Sequence, residues 1–376
     1  MRLKRWFGRF LTGAVLLAVV VGCGSPAAPG AGADTSKQAP SSAAAGKEAP
    51  KAAANAAPKD VIRWKAITYM ADNSPFVAAN REWAKAIETR SGGRLVTEWF
   101  TGGSMVGSNE ELNAVGKGIA DVALLYFGYY PNELYVTTIN GIPALSPESL
   151  EAQSLIMDEV AKTAAYKAEF DKYNVQQLFF SASPVFAMIG KKPIRKIEDF
   201  KGVKVRAVSG TADIVQRIGG TPVNISQPES FTALNNGLVD LVAASGLASM
   251  MSNKYNEISK YYIPGVPLGG GGLIAIVNKN SYAKLPQDIK DMFVAMVPDQ
   301  AKVYQRVLAG PDAVNKAMDD FKSRGIETLP FPKAEQDKVM TLAKPMLDEW
   351  AAAGKDRGAR EVLDAYLAAM KKYEGK

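Results

Sequence analysis

The side chains that could perform covalent chemistry are few in this chain. It has 376 residues, no histidine and one cysteine, Cys23. A Ser-His-Asp triad, a Cys-His pair and a histidine metal site therefore cannot be assembled. Carboxylate pairs, lysine bases and calcium sites need only Asp, Glu or Lys, but we find no EF-hand-like spacing, phosphate loop or G-x-S-x-G turn. We predict no catalytic residue, no metal and no cofactor, although chemistry by carboxylates or lysine stays open.

Cys23 ends a segment with the pattern of a secretion signal. Residues 1–10 carry four basic side chains and no acidic one, and residues 11–21 are an apolar run followed by G-C. This pattern is typical of a signal peptide, because the run is about half of the ~20 apolar residues that a membrane-spanning helix needs. A cysteine directly after small residues resembles a bacterial lipobox, in which the thiol is acylated. We predict a lipoprotein signal peptide over residues 1–22 and lipidation of Cys23. The protein would then be lipid-anchored outside the cytoplasm, in the periplasm or on the outer face of the cell membrane.

Residues 23–59 have the composition of a tether. After Cys23 they are rich in Ala, Pro, Ser, Gly and Lys, and they include no aromatic residue. Such a segment cannot bury enough apolar surface to offset the entropy of ordering, so we predict that it is disordered. Without the four basic residues of the signal, the formal net charge falls from +7 to +3. This small excess predicts no nucleic-acid partner.

From Val61 onward, segments with strand patterns alternate with segments of helical spacing. Among the predicted helices is one long segment, residues 149–173, and from Leu285 the chain is almost wholly helical. This alternation predicts an α/β protein with parallel sheets. The ~315 residues after the tether exceed the usual size of one domain, which favours two lobes. The predicted strands are residues 61–69, 95–100, 120–126, 175–180, 185–189, 203–208, 239–243 and 273–277.

Three stretches occur in an order that is similar to one known family. They are R-S-G-G-R-L-V-T-E-W-F-T-G-G-S-M-V-G-S-N-E-E-L-N-A-V-G-K-G-I-A-D-V-A at 90–123, K-K-P-I-R-K-I-E-D-F-K-G-V-K-V-R-A-V at 191–208, and F-T-A-L-N-N-G-L-V-D at 231–240, which is followed by V-N-K-N-S-Y-A-K-L-P at 277–286. Together they resemble the solute-binding component of tripartite ATP-independent periplasmic (TRAP) transporters, the DctP-like family. The resemblance extends from Val61 to about Phe293.

The resemblance implies a two-lobed α/β fold like that of periplasmic binding proteins, with a ligand cleft between the lobes, crossing hinge strands and a long connecting helix. By position, lobe I would comprise residues 61–180 plus 271–310, and lobe II residues 181–270 plus 311–376. The implied function is an extracytoplasmic receptor that binds a small organic acid and delivers it to the permease subunits in the membrane. A carboxylate-binding sensor and an extracytoplasmic enzyme stay open as alternatives.

Arg206 is the predicted anchor of the ligand. The resemblance implies that the arginine of K-G-V-K-V-R-A-V pairs with the ligand's carboxylate, and a planar guanidinium suits this role because it forms two parallel hydrogen bonds and stays charged when desolvated. Many relatives carry a second arginine, whose place falls in residues 183–186, at Val185. Small apolar residues also replace polar ones within residues 239–245. One cation in an apolar surround favours a monocarboxylate with an apolar body over a dicarboxylate.

Further predicted ligand contacts stand at strand ends, in a glycine-rich turn or at helix starts. Ligands of open α/β sheets sit beyond the carboxyl ends of the strands, and helix N-termini favour anions. For each aromatic residue the alternative is ordinary core packing. The predicted contacts are Tyr69, Tyr126, Phe127, Ser104, Met105, Ser209, Gly210, Phe231 and Ser245.

Overall fold

The computed structural model describes residues 60–145, 147 and 149–373. The predicted signal peptide, Cys23 and the tether lie outside these residues. Within the described body, no helix combines the length and the apolar character that a membrane crossing requires.

Eleven strands of the described body form two sheets. In chain order they are β1 (Ile62–Ile67), β2 (Leu95–Phe100), β3 (Val122–Leu125), β4 (Val175–Ser183), β5 (Phe186–Gly190), β6 (Lys204–Arg206), β7 (Thr221–Val223), β8 (Leu241–Ser245), β9 (Tyr261–Ile263), β10 (Gly271–Asn278) and β11 (Glu327–Thr328). The first sheet has the order β2-β1-β3-β10-β4, and the second has the order β11-β9-β5-β8-β6-β7. We call the parts of the protein built around these sheets the first and second lobes. The predicted two-lobed α/β fold is confirmed. The expectation of parallel sheets is wrong, because β10 and β5 run antiparallel to their neighbours and make both sheets mixed.

Thirteen α-helices in the described part cover the sheets. They are α1 (Pro75–Arg90), α2 (Glu111–Gly116), α3 (Leu150–Val160), α4 (Ala164–Asp171), α5 (Gly210–Arg217), α6 (Gln227–Asn235), α7 (Gly246–Ser252), α8 (Lys279–Ala283), α9 (Gln287–Ala309), α10 (Pro311–Ser323), α11 (Lys333–Ala343), α12 (Met346–Ala353) and α13 (Ala359–Tyr373). The single helix predicted over residues 149–173 is wrong. The stretch is divided because α3 ends at Val160 and Thr163 caps the start of α4, where its side chain accepts a hydrogen bond from the amide of Tyr166.

The described chain crosses between the sheets three times. It leaves the first sheet after β4 and enters the second at β5, it returns between β9 and β10, and it crosses again between β10 and β11. β4 and β10 are antiparallel neighbours, so the first two crossings lie side by side. The predicted lobe boundaries stay a prediction. The last helix, α13, packs near the first lobe, where Tyr366 donates its hydroxyl proton to the carbonyl of Leu145 at 2.7 Å.

The two sheets repeat one arrangement of strands. In the first, β2, β1 and β3 are parallel and β10 is antiparallel to β3; in the second, β7, β6 and β8 are parallel and β5 is antiparallel to β8. A matching hydrogen bond supports each half. Asp121 accepts from the amide of Lys65 at 2.8 Å, and Asp240 accepts from the amide of Lys204 at 2.9 Å. The two aspartates end the similar sequences G-I-A-D and G-L-V-D, which mark the start of the third parallel strand in each lobe.

Pairs of aromatic rings join helices to the sheet in the core of the first lobe. Trp64 stacks on Phe293 at 5.5 Å between ring centroids, and the edge of Trp83 meets Phe179 at 4.5 Å. These pairs fasten α1 and α9 to the sheet, since each buried ring contributes about 1.5–3 kcal/mol. A separate cluster that includes Leu234 joins the second sheet to α6, α7 and α10. In both lobes, the strand ends are therefore held in place by a packed core.

Candidate ligand site

A cavity lies where the carboxyl ends of β1, β3, β6 and β8 meet. Its walls bound about 470 Å³ of space that includes an opening to solvent. Both sheets contribute, which agrees with the general rule that open α/β sheets bind ligands beyond these ends. Arg206 is the one charged side chain among the described residues of its lining. The lining residues are Tyr69, Met70, Phe76, Tyr126, Tyr129, Ser183, Phe186, Arg206, Gln227, Ala243, Ala244, Ser245, Ser249, Tyr255, Gly272 and Leu273.

Arg206 is buried without an acidic partner. Its residue is 6% exposed, and its Nε and Nη1 donate to the carbonyls of Ile225 at 2.8 Å and Ala243 at 3.5 Å. Nη2 donates to the hydroxyl of Tyr129 at 3.1 Å. The titratable groups that act on its pKa within the described body are tyrosine phenols, and no carboxylate is among them. A desolvated guanidinium without a counterion is the arrangement that attracts an anionic ligand.

Three tyrosines around Arg206 are neutral hydrogen-bonding groups. Burial raises the pKa of Tyr69, Tyr126 and Tyr255, and the nearby Arg206 guanidinium lowers it by less. The phenols therefore keep their protons at neutral pH. They do not compensate the charge of Arg206, but they can donate hydrogen bonds to an oxygen placed beside it.

Tyr129 connects the two lobes inside the cavity. Residues Phe127–Tyr129 form a 3₁₀ turn directly after β3. The Tyr129 hydroxyl oxygen accepts from Arg206 and also from the backbone amide of Gln227, the latter at 2.8 Å. Because the turn has about three residues per revolution, Tyr126 and Tyr129 lie on the same side of it.

The rest of the cavity wall is largely apolar. Part of it depends on two glycines at the start of β10, whose missing side chains leave room for aromatic rings. A Cβ at Gly271 would stand 2.3 Å from the ring of Phe186, and one at Gly272 would stand 2.2 Å from the ring of Phe180. The absence of side chains at these positions lets the two rings reach the start of β10. Phe186 therefore forms a flat apolar wall of the cavity, and Phe76 of α1 forms another.

Glu111 supports the site from behind. This residue is fully buried at the start of α2, and its Oε1 accepts a hydrogen bond from the amide of Tyr69. Its Oε2 has no hydrogen-bond partner in the described body. Burial raises the pKa of this carboxyl well above its ordinary value, while the Tyr69 amide lowers it by less. Glu111 therefore fixes the backbone that carries Tyr69.

Comparison with known proteins identifies this architecture. The sequence pattern of "bacterial extracellular solute-binding protein, family 7" (DctP) matches residues 67–353. The chain belongs to this family. The predicted resemblance to TRAP solute-binding proteins is thereby confirmed, and the family works outside the cytoplasm.

Relatives of this solute-binding protein are distant but match it along most of its length. A solute-binding protein of Albidiferax ferrireducens is 24% identical over 309 residues, which cover 77% of this chain and 83% of the relative. A monocarboxylate 2-oxoacid-binding periplasmic protein of a Nostoc species is 23% identical over 321 residues, which cover 82% and 84%.

Solved TRAP solute-binding proteins have the same fold. One from Rhodoferax ferrireducens, crystallised with copurified benzoate, has a TM-score of 0.75 at 21% identity and covers 83% of this chain and 98% of its own. One from Bordetella bronchiseptica, with bound mandelate, has a TM-score of 0.73 at 22% identity and covers 83% and 100%.

Four residues that the sequence predicted as ligand contacts come together in the cavity of this solute-binding protein. They are Arg206, Tyr69, Tyr126 and Ser245. The alanines of residues 239–245 also line it, and of residues 183–186 it is Ser183 and Phe186, and not Val185, that face it. Their role as ligand contacts stays a prediction.

The other six predicted contacts stand elsewhere in the described body. Phe127 is fully buried beside Phe180, Met105 packs on the core of the first lobe, and Phe231 packs on the separate cluster of the second lobe. Ser104 is exposed. Ser209 and Gly210 line a different groove.

That second groove lies between α5 and α12. An ion pair between Arg217 and Glu349 and a stacked pair, Tyr135 and Trp350 at 5.4 Å, form parts of its wall. A Cβ at Gly210 would stand 2.5 Å from the carbonyl oxygen of Gly141, so the start of α5 is pressed against the first lobe. Ser209 and Gly210 therefore line this groove, and neither is among the described residues that line the cavity of Arg206.

Sequence reasoning missed several residues of the cavity, notably Tyr129, Gln227, Phe186 and Tyr255. One signal was available for Gln227. The sequence S-Q-P-E has the spacing of a capping box, which predicts a helix start and free backbone amides at this place. The structure has that box at Ser226, immediately before α6.

Proposed function

We propose that this solute-binding protein captures a small monocarboxylate with an apolar body and delivers it to the membrane subunits of a TRAP transporter. The buried guanidinium of Arg206 carries this proposal, since no acidic group of the described body pairs with it. A ligand carboxylate would supply the missing negative charge through charge-assisted hydrogen bonds. The neutral tyrosines would add donors without repelling the anion.

The single charge of the lining favours one carboxylate over two. A second carboxylate would be desolvated against rings such as Phe76 and Phe186, without a second cation to compensate it. Several proteins of similar fold have been crystallised with benzoate, mandelate or 3-hydroxybenzoate. These acids have one carboxylate and a flat apolar ring, which suits the walls described here.

Calorimetry with a panel of acids tests this proposal. We expect benzoate, mandelate or 3-hydroxybenzoate to bind more tightly than succinate or malate. Arg206→Ala should weaken binding at least tenfold, because hydrogen bonds to a charged group contribute about 1.5–3 kcal/mol. Arg195→Ala, which breaks an exposed ion pair with Glu327, is the matched control. Tighter binding of a dicarboxylate would contradict the proposal.

The anchored state is a separate part of the proposal and depends on Cys23. In this view the cysteine after the signal is acylated and the segment up to residue 59 holds the receptor near the membrane. Cys23→Ser should abolish incorporation of labelled palmitate and move the protein from the membrane fraction to the released fraction. Unchanged labelling in this variant would refute lipidation at Cys23.

Capture without turnover distinguishes this receptor from an enzyme. The described lining includes no Asp, Glu or Lys that could serve as a general base. Each acid that binds should therefore be recovered unchanged after prolonged incubation, as followed by mass spectrometry. A product that forms with the wild type, and does not form with Arg206→Ala, would favour the enzyme instead.

A further inference from the structure

Tyr129 bridges the lobes at the same guanidinium that the proposed function assigns to the ligand. The residue follows β3 of the first lobe, whereas Arg206 and Gln227 belong to β6 and α6 of the second. Its hydroxyl oxygen accepts from Arg206 Nη2 at 3.1 Å and from the Gln227 amide at 2.8 Å. Both bonds cross the cleft, so they exist only while the lobes are together.

Both partners of this bridge are held in place by their own lobes. The Tyr129 ring meets the rings of Tyr69 and Tyr126 edge to face, each at 5.3 Å between centroids. On the other side, Arg206 Nε is fixed by the carbonyl of Ile225 at 2.8 Å. Little conformational freedom is lost when such pre-oriented groups meet, which makes the bridge an effective closing contact.

We propose that Tyr129 is a positioning residue that latches the closed cleft and orients Arg206 toward the ligand's carboxylate. This inference rests on the proposed function for the identity of the ligand. A guanidinium has five N–H donors, and the bonds to Ile225, Ala243 and Tyr129 leave further donors for a carboxylate. Tyr129 and the ligand therefore use Arg206 at the same time.

This role differs from that of a ligand contact in a measurable way. The Tyr129 hydroxyl acts on groups of the protein, so its removal changes the closing equilibrium by an amount that does not depend on the ligand. The affinity of every acid should fall by one common factor. A hydroxyl that contacts the ligand would instead weaken some acids much more than others.

Spin labels test the latch before any acid is added. Lys117→Cys and Asn236→Cys place labels at the ends of α2 and α6, which are equivalent exposed positions in the two lobes. The full chain with Cys23→Ser then has no other cysteine. We expect the closed-state distance in this protein and a closed population about tenfold smaller relative to the open one after Tyr129→Phe, which removes both bonds. Tyr282→Phe, a ring change in the first lobe outside the cavity, is the matched control.

Calorimetry on the same variants adds the ligand. Benzoate, mandelate and pyroglutamate serve as probes, and Tyr129→Phe should raise the dissociation constant of each acid that binds by a similar factor, mainly through faster release. Gln227→Pro removes the amide donor, since proline is accepted at the first position of a helix, and Gln227→Ala, which keeps that amide, is the control for the lost side chain of the cavity lining. The effect of Gln227→Pro should have the same direction and should not add fully to that of Tyr129→Phe.

The possible outcomes separate the latch from the proposed function. Equal closed fractions in the parent protein and Tyr129→Phe would overturn the latch, as would a parent protein that shows only the open distance. Affinity losses that differ among acids by more than about twofold would also overturn it. Failure of the parent to bind any acid would contradict the proposed function, while the label distances would still decide the role of Tyr129.

Discussion

Arg206 owes its position to a short strand and its chemistry to its surroundings. β6 places the side chain at the cavity, where 6% of the residue is exposed. Its pKa lies far above any physiological pH, so the charge is permanent. Burial keeps the phenols of Tyr69, Tyr126 and Tyr255 neutral by raising their pKa. One fixed positive charge among neutral donors is thus the electrostatic character of the site.

The buried carboxyl of Glu111 predicts a dependence of the protein's stability on pH. Burial raises the pKa of its carboxyl above the ordinary value of 4.5. The stability gained from the protonated form is fully present below pH 4.5 and is lost as pH rises toward the pKa of the folded state. Glu111→Gln keeps an acceptor for the Tyr69 amide but cannot ionise. Its melting temperature should therefore rise relative to that of the wild type between pH 5 and pH 8.

Scanning calorimetry over this pH range measures the difference between Glu111→Gln and the wild type. Glu98→Gln, which changes an exposed glutamate on β2, is the control and should show no such trend. A difference in melting temperature that stays constant with pH would mean that the Glu111 carboxyl titrates as it does in water.

At the scale of elements, β10 shapes the apolar wall. It runs antiparallel between β3 and β4. Its first residue, Gly271, pairs with Ser183 at the end of β4, where the chain crosses between the lobes. Gly271 stands under the ring of Phe186, and its missing side chain is the space that the ring fills. The strand therefore shapes the cavity because Gly271 has no side chain to displace the Phe186 ring.

Gly271→Ala should damage both the fold and the site. The added methyl group would lie 2.3 Å from the Phe186 ring and 2.8 Å from Ser183 Oγ, so the ring must move into the cavity. We expect a loss of about 1–3 kcal/mol in the free energy of unfolding, as for other overpacked cores, together with weaker acid binding. Gly107→Ala is the control, because the nearest atom, Glu110 Oε2, is 3.4 Å away. Denaturant unfolding and calorimetry that match the wild type would contradict this account of β10.

Local patterns were enough to predict part of the site and all of its supporting strands. Arg206, Tyr69 and Tyr126 each stand at or just beyond a strand end, and apolar runs mark those strands within a few residues. Tyr129 and Phe186 could not be found this way. Their position in the cavity depends on how the two lobes pack against each other. The local sequence around Tyr129 or Phe186 contains no pattern that predicts this packing.

At the scale of the whole described body, residues 60–373, two similar halves face each other across the site. Each half directs the ends of its parallel strands toward the cavity, and the crossings β4–β5 and β9–β10 join the halves beside it. The sequence hides this repeat, because the halves share little beyond short segments such as G-I-A-D and G-L-V-D. Similar strand order with different side chains at the strand ends gives one half the cation and the other most of the tyrosines.

A crystal structure of the protein with the most tightly bound acid of the panel tests the central claim most directly. The account predicts one carboxylate within about 3.2 Å of the Arg206 guanidinium nitrogens, with the apolar body of the acid against Phe76 and Phe186. An acid bound in the cavity with its carboxylate turned away from Arg206, or an acid bound outside this cavity, would contradict it.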